Sequence, residues 1–140
     1  MIRLTNEMRE ALPKALAEGH PSIVATASAA GVPDVAFKGS LMVFDDEHLA
    51  YWERSLGTTL SNLRENPMIA VFYWNFATRT MWKFIGTAKV HADDGMRGEI
   101  MGRTIEAELQ RDPERKGVGV LIRVERVLQR GQVVMERANE

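Results

Sequence analysis

Segments rich in β-branched and aromatic residues, separated by short polar links, recur along this 140-residue sequence. The clearest two, at 68–75 (MIAVFYWN) and 79–93 (RTMWKFIGTAKVHAD), are joined only by the residues FAT. Strands joined by so short a link pair antiparallel, because a parallel pair needs a long crossover connection. The sequence therefore predicts a fold built mainly on an antiparallel sheet.

Hydrophobic spacing also predicts the remaining strands and helices. Apolar residues three or four positions apart indicate a helix at 5–18, with Thr5 as its N-cap, Gly19 as its end, and a kink or break at Pro13. The other predicted elements are strands at 22–29, 34–44, 49–54 and 118–131 and helices at about 58–65 and 96–110. We therefore predict one mainly β domain with α, covering residues 1–140: an antiparallel barrel of six or more strands with peripheral helices.

Composition and motifs exclude several classes of function. The net charge is −1 (18 Lys and Arg against 19 Asp and Glu) and there is no basic tail, so we expect neither nucleic acid nor a membrane as a partner. Without cysteine there is no thiolate catalysis, and the three histidines lack metal-ligand spacing, so we assign no metal site. The start, MIRLTNEMRE, lacks the apolar run of a signal peptide, and we expect a cytoplasmic protein.

The stretch ERSLGTTLSNLRENP, at 53–67, joins a strand to a helix through a run of small polar residues. Backbone N–H groups at a helix start carry partial positive charge, and an arginine with several hydroxyls beside them makes an anion site. Arg54, Ser55, Thr58 and Thr59 are the candidate phosphate ligands. The alternative is that Ser55 or Thr58 only caps the helix and Arg54 is solvated.

A second polar cluster, Lys38, Gly39 and Ser40, interrupts the apolar strand at 34–44. A glycine within a strand often marks the close approach of another group, and a flat ligand fits this position. The alternative is a β-bulge with an exposed lysine.

Aromatic residues crowd the middle strands, and several occupy adjacent positions, such as Phe72, Tyr73 and Trp74, then Met81 and Trp82. Adjacent residues of a strand point to opposite faces, so both faces need cover, and a barrel has only one inside. An exposed apolar face usually marks an interface, and we predict a homodimer.

The order of these features resembles the pyridoxamine 5′-phosphate oxidase-like family of FMN-binding split β-barrels. The similar parts are the N-terminal helix, the hairpin IVATASAAGVPDVAFKGSLMVF, the turn YWERSLGTTLSNLRENPMIAVFYW and the later strand WKFIGTAKVH, and together they cover nearly the whole chain. The resemblance implies a split barrel whose two subunits hold FMN in the groove between them.

The resemblance also implies roles for individual residues. Lys38, Gly39 and Ser40 are expected along the isoalloxazine ring, where a lysine or backbone N–H stabilises negative charge on the flavin. The phosphate ligands are expected to be Arg54, Ser55, Thr58 and Thr59. Trp82 and Lys83 match the strand that reaches the cofactor from the partner subunit.

The implied activity is that of an oxidoreductase that moves electrons between FMN and a nicotinamide or small organic molecule, with no catalytic acid or base assigned. True pyridoxamine phosphate oxidases share an arginine-rich C-terminal segment ending near RLAP, whereas this chain ends in RGQVVMERANE, so we expect a different substrate. The alternatives are a non-catalytic flavin carrier, a site for deazaflavin or haem, and a barrel without a cofactor.

Overall fold

The structure is a computed structural model that describes residues 1–138 of the chain. The strands are β1 (Ser22–Ala27), β2 (Pro33–Lys38), β3 (Met42–Asp45), β4 (His48–Glu53), β5 (Met68–Asn75), β6 (Thr80–His91), β7 (Val118–Gln129) and β8 (Gln132–Glu136). The helices are α1 (Asn6–Ala11), α2 (Thr58–Glu65), α3 (Gly95–Arg103) and α4 (Glu106–Leu109). None of these helices is long and apolar enough to cross a membrane. The last two residues of the C-terminal segment compared above, 139 and 140, lie outside the described residues.

All eight strands belong to one antiparallel sheet, in the order β2-β1-β5-β6-β7-β4-β3, with β8 paired to β7. The edge strands β2 and β3 lie at opposite ends of this order, yet only residues 39–41 separate them in sequence. Four Cα-to-Cα steps span roughly 14 Å at most, so the sheet must curl until its two edges meet. This confirms the predicted split barrel with peripheral helices.

Side chains that point into the barrel form its core. Burial alternates along β5 and β6, so Tyr73 and Trp82 face inward, where their rings stack with centroids 4.9 Å apart. Met8 of α1 and Leu12 just after it pack on this core and are buried. Thr5 caps α1 as predicted, with its hydroxyl accepting a hydrogen bond from Met8 N at 3.2 Å.

Two predicted helices are shorter than the sequence pattern indicated. The first ends at Ala11 and continues as one 3₁₀ turn that contains Pro13, which has no N–H for the α-helical ladder. The predicted helix at 96–110 is divided into α3 and α4 at Thr104, whose backbone is extended and whose Oγ1 donates to Ile100 O at 2.7 Å. The break changes the direction of the chain and brings α4 towards the barrel split.

Two strand predictions also differ from the structure. The predicted strand at 34–44 is divided into β2 and β3, because residues 39–41 carry the chain from one sheet edge to the other. Strand β8 was not predicted; it follows a tight turn at Gly131, which has a φ of 84°. Strand β5 and helix α2 have the predicted bounds.

An apolar surface covers the outer side of β2, β1, β5 and β6. The strand registers place its members on one face. Val35 and Phe37 are each 68% exposed, and the others are partly buried. We call this surface the outer apolar face and define it by Ile23, Val35, Phe37, Phe72, Trp74, Met81 and Ile85.

Candidate functional site

A cavity of about 100 Å³ lies where the two edges of the barrel meet. The end of β2 and the following turn supply one wall, and the end of β4, its following loop and α4 supply the other. The lining residues are Phe37, Lys38, Gly39, Ser40, Trp52, Glu53, Arg54, Ser55 and Glu108. Five predicted site residues from two separate segments therefore meet in one place: Lys38, Gly39, Ser40, Arg54 and Ser55.

Glu53 is the anionic centre of one half of the cavity, and its side chain is fully buried. Its Oε2 accepts hydrogen bonds from Lys38 Nζ at 3.0 Å, Ser55 Oγ at 2.8 Å, Ser55 N at 3.2 Å and Leu56 N at 3.3 Å. Lys38 Nζ also lies 2.9 Å from Oε1, an ion contact without hydrogen-bond geometry. The Ser55 hydroxyl thus fixes the loop after β4 against Glu53, and this structural role accounts for the presence of a serine at this position.

Arg54 and Glu108 form the other charged pair of the cavity. Arg54 Nε donates to Glu108 Oε2 at 2.6 Å, and the two side chains are 32% and 5% exposed. The second oxygen, Oε1, lies against Gly39, where an added Cβ would overlap it. Gly39 is therefore the residue type that lets the Glu108 carboxylate reach Arg54.

Charge in the cavity is balanced by the protein itself. Lys38 and Arg54 supply two positive charges, and the buried carboxylates of Glu53 and Glu108 supply two negative charges. The sequence did not predict Glu108 as a site residue, because a glutamate in a charged helix looks the same in sequence whether it is buried or exposed to solvent. Only the break at Thr104 and the contact across 54 positions bring it to Arg54.

The Ser40 side chain continues the pairing of β3 with β4 at the edge of the cavity. Its Oγ accepts a hydrogen bond from Trp52 N at 2.9 Å and donates one to Trp52 O at 3.2 Å. The Trp52 indole in turn donates to Asp112 Oδ2 at 2.9 Å. Burial raises the pKa of Asp112, but hydrogen bonds from Lys116 N, Gly117 N and Trp52 outweigh it and hold that pKa below the usual value of 3.8. Ser40 therefore has a structural task besides its predicted place beside a flavin.

Tyr51 lies behind Glu53 in the barrel. Burial raises the pKa of Tyr51 well above 10, and the Glu53 carboxylate raises it further. The phenol is therefore protonated at neutral pH. Its buried hydroxyl has no partner with hydrogen-bond geometry among residues 1–138.

Helix α2 begins beside the cavity without a side-chain cap. Its N-cap is Gly57, and no side chain of residues 1–138 caps the first turn. Thr58 is exposed at this end and Thr59 is buried. Capping by Ser55 or Thr58, the alternative considered from the sequence, is not what the structure shows, and the first-turn N–H groups keep their partial positive charge.

Trp82 and Lys83 do not line this cavity in their own chain. Trp82 lies in the core against Tyr73, with 2% of its surface exposed. Lys83 is exposed on the outer side of β6, opposite Phe72 of the outer apolar face. Of the two, only Lys83 lies on a surface that a second subunit can cover.

Comparison with known proteins agrees with this architecture. Residues 4–131 match the pyridoxamine 5′-phosphate oxidase family. An uncharacterised protein of Methanocaldococcus jannaschii is 28% identical over 124 residues, which are 87% of this chain and 76% of that protein. Similar solved structures include HupZ of group A Streptococcus (24% identity, TM-score 0.71, 97% of this chain and 99% of that one). Another is an FMN-binding protein of Syntrophomonas wolfei (12% identity, TM-score 0.69, 89% of this chain and 86% of that one). The chain belongs to the pyridoxamine 5′-phosphate oxidase family.

Proposed function

We propose that this protein binds FMN at the barrel split and acts as an oxidoreductase between the flavin and a nicotinamide or another small organic molecule. The observation that carries the proposal is the meeting of two polar segments at one cavity, 38–40 from a sheet edge and 54–55 from the loop before α2. Membership in the family supports this ligand, as does the FMN-binding protein of S. wolfei, which shares the fold.

The loop before α2 fits the phosphate end of FMN. The first-turn N–H groups of α2 are not capped by a side chain, and such groups bind anions. Thr58 is exposed at the same end, and Arg54 is about one-third exposed, so both reach the surface. We assign the phosphate to these groups and the ring to the side of Lys38, Gly39 and Ser40.

FMN supplies the electron transfer when it is bound, and the residues of this chain bind and orient it. Lys38 is held beside the proposed ring position by its contact with Glu53, so its positive charge is fixed in place. Tyr51 stays protonated behind this pair. We assign no catalytic acid or base to the chain.

The cavity of one chain is too small for the whole cofactor. Sites that bury a small molecule have volumes of roughly 300–1,000 Å³, whereas this cavity holds about 100 Å³. A second subunit placed over the outer apolar face meets this need, because Phe37 belongs both to that face and to the cavity wall. We therefore propose a homodimer with FMN at its interface and Lys83 near the partner's site.

Titration of the FMN-free protein with FMN and riboflavin tests the ligand. FMN is expected to bind at least tenfold more tightly, because riboflavin lacks the phosphate that the α2 loop binds. Equal affinity for the two would remove the phosphate assignment, and no binding of either would remove the proposed cofactor.

Anaerobic mixing of the FMN-loaded protein with NADH or NADPH separates an oxidoreductase from a flavin carrier. We expect the nicotinamide to reduce the bound flavin, so that its absorbance bleaches within seconds to minutes of mixing. If neither nicotinamide nor a panel of small organic reductants bleaches it, the protein is a carrier.

A further inference from the structure

The partner of Arg54 in this structure is an anion that the protein itself supplies. Glu108 Oε2 accepts a hydrogen bond from Arg54 Nε at 2.6 Å, and the carboxylate is almost fully buried. Its other oxygen occupies the space that the missing Cβ of Gly39 leaves. The chain thus provides a fitted seat for a carboxylate at the arginine to which the phosphate of FMN is assigned.

A phosphate that bound Arg54 with Glu108 in this seat would meet a like charge a few ångströms away. Such repulsion is strong where the surroundings are poor in water. Moving Glu53 would not relieve this repulsion, because four hydrogen bonds from Lys38, Ser55 and Leu56 fix its carboxylate in place. Glu108 lies on α4, a helix of a single turn, and among residues 1–138 its side chain accepts one hydrogen bond, from Arg54.

We propose that Glu108 is an internal competitor for Arg54, and that a phosphorylated ligand binds by exchanging its phosphate for the Glu108 carboxylate. The inference rests on the proposed function, because the phosphate of FMN is the anion considered. Glu108 then lowers the affinity for FMN without affecting that for riboflavin, and so reduces the preference for FMN. Weak anions and ligands without a phosphate leave the Arg54–Glu108 pair intact.

The first experiment compares wild type, Glu108→Gln and Glu106→Gln by titration with FMN and with riboflavin. Glu106 is an exposed residue of the same helix, so its variant removes the same charge without touching Arg54. Glu108→Gln is expected to bind FMN at least tenfold more tightly than wild type, with riboflavin affinity within twofold. Glu106→Gln is expected to match wild type within twofold. If wild type prefers FMN to riboflavin, unchanged or weaker FMN binding by Glu108→Gln overturns the inference and makes Glu108 a residue that positions Arg54.

The second experiment uses inorganic phosphate and does not depend on flavin binding. Gly39→Ala keeps both charges but fills the seat of the carboxylate, so it displaces Glu108 without neutralising it. Phosphate binding is followed by the NMR signal of the Arg54 Nε–H group. Both Gly39→Ala and Glu108→Gln are expected to bind phosphate at least fivefold more tightly than wild type.

These two experiments separate the two proposals. If no variant prefers FMN to riboflavin but both variants gain phosphate affinity, the proposed function fails and the competition stands. If FMN is preferred but phosphate affinity is the same in wild type and both variants, the competition fails and the proposed function stands.

Discussion

Lys38 Nζ lies 2.9 Å from Glu53 Oε1 and 3.0 Å from Oε2, and this pair joins edge strand β2 to β4 across the barrel split. The Glu53 side chain is fully buried and that of Lys38 is 10% exposed. No backbone ladder joins β2 to β3 or β4 in the part of the chain that the structure describes. The contact therefore closes the barrel and also fixes the cation of the proposed flavin site.

Breaking this pair from one side should destabilise the fold. Glu53→Gln or Lys38→Met leaves a buried charge without its partner, and we expect a loss of about 3–5 kcal/mol in the free energy of unfolding. The double variant should recover part of that loss, because neither charge remains. Urea denaturation of the FMN-free proteins measures the cycle, and additive losses in the double variant would show that the two residues are not coupled.

Arg54→Ala should weaken FMN binding by about 1.5–3 kcal/mol, the range for hydrogen bonds to a charged group, and leave riboflavin binding unchanged. The structure adds a second effect that the sequence does not show. The variant leaves Glu108 buried without its cation, so the melting temperature of the FMN-free protein should also fall. Glu108→Gln added to Arg54→Ala should restore the melting temperature, but its FMN affinity should stay below that of Glu108→Gln alone, and equal affinity of these two variants would contradict the assigned role of Arg54.

The contrast between Arg54 and Glu108 shows how far the sequence alone could predict this site. Residues 38–40 and 54–55 could be found because glycine, hydroxyl and basic residues are out of place at those strand ends. The antiparallel barrel could also be predicted, because the hydrophobic periodicity that identifies each strand and helix is a local property of the sequence. Glu108 could not be found, because its role depends on a helix break and on a contact 54 positions away. Nor does any local signal show that Ser55 binds Glu53.

Replacing Asp112 should destabilise the protein at neutral pH but not in acid. Asp112→Asn weakens the hydrogen bonds from Trp52, Lys116 and Gly117, and we expect a loss of about 1–3 kcal/mol. Since the pKa of Asp112 is lower in the folded state than 3.8, its stabilisation is complete above that pH and is lost as the pH falls through the folded-state value. Urea denaturation of wild type and variant at pH 7 and over a series of pH values falling from 3.8 through the folded-state pKa should show the difference shrinking, and a constant difference would contradict the assignment.

Replacing Tyr51 by phenylalanine should have the opposite pH dependence. The hydroxyl is buried without a hydrogen-bond partner in the described residues, so its loss should change stability at pH 7 by less than about 1 kcal/mol. Its pKa is higher in the folded state than the usual 10, so the wild type should lose stability as the pH rises above 10, where the unfolded chain ionises first. Tyr51→Phe should lose less over the same range, and equal slopes for the two proteins would show that Tyr51 does not cause the alkaline loss.

The homodimer prediction can be tested on the outer apolar face without damaging the core. Trp82 is unsuitable, since a charge there would disrupt the barrel interior. Trp74→Glu places a charge among the residues of the outer apolar face, whereas Val134→Glu places the same charge at a half-exposed residue of β8, a strand that pairs with β7 and contributes no residue to that face. Trp74→Glu should shift the protein to monomer and release FMN, because the same contact completes both the interface and the cofactor site. Val134→Glu should remain a dimer that binds FMN. Sedimentation at micromolar concentration decides the matter: a wild-type monomer that keeps one FMN per chain would mean that a single subunit builds the site.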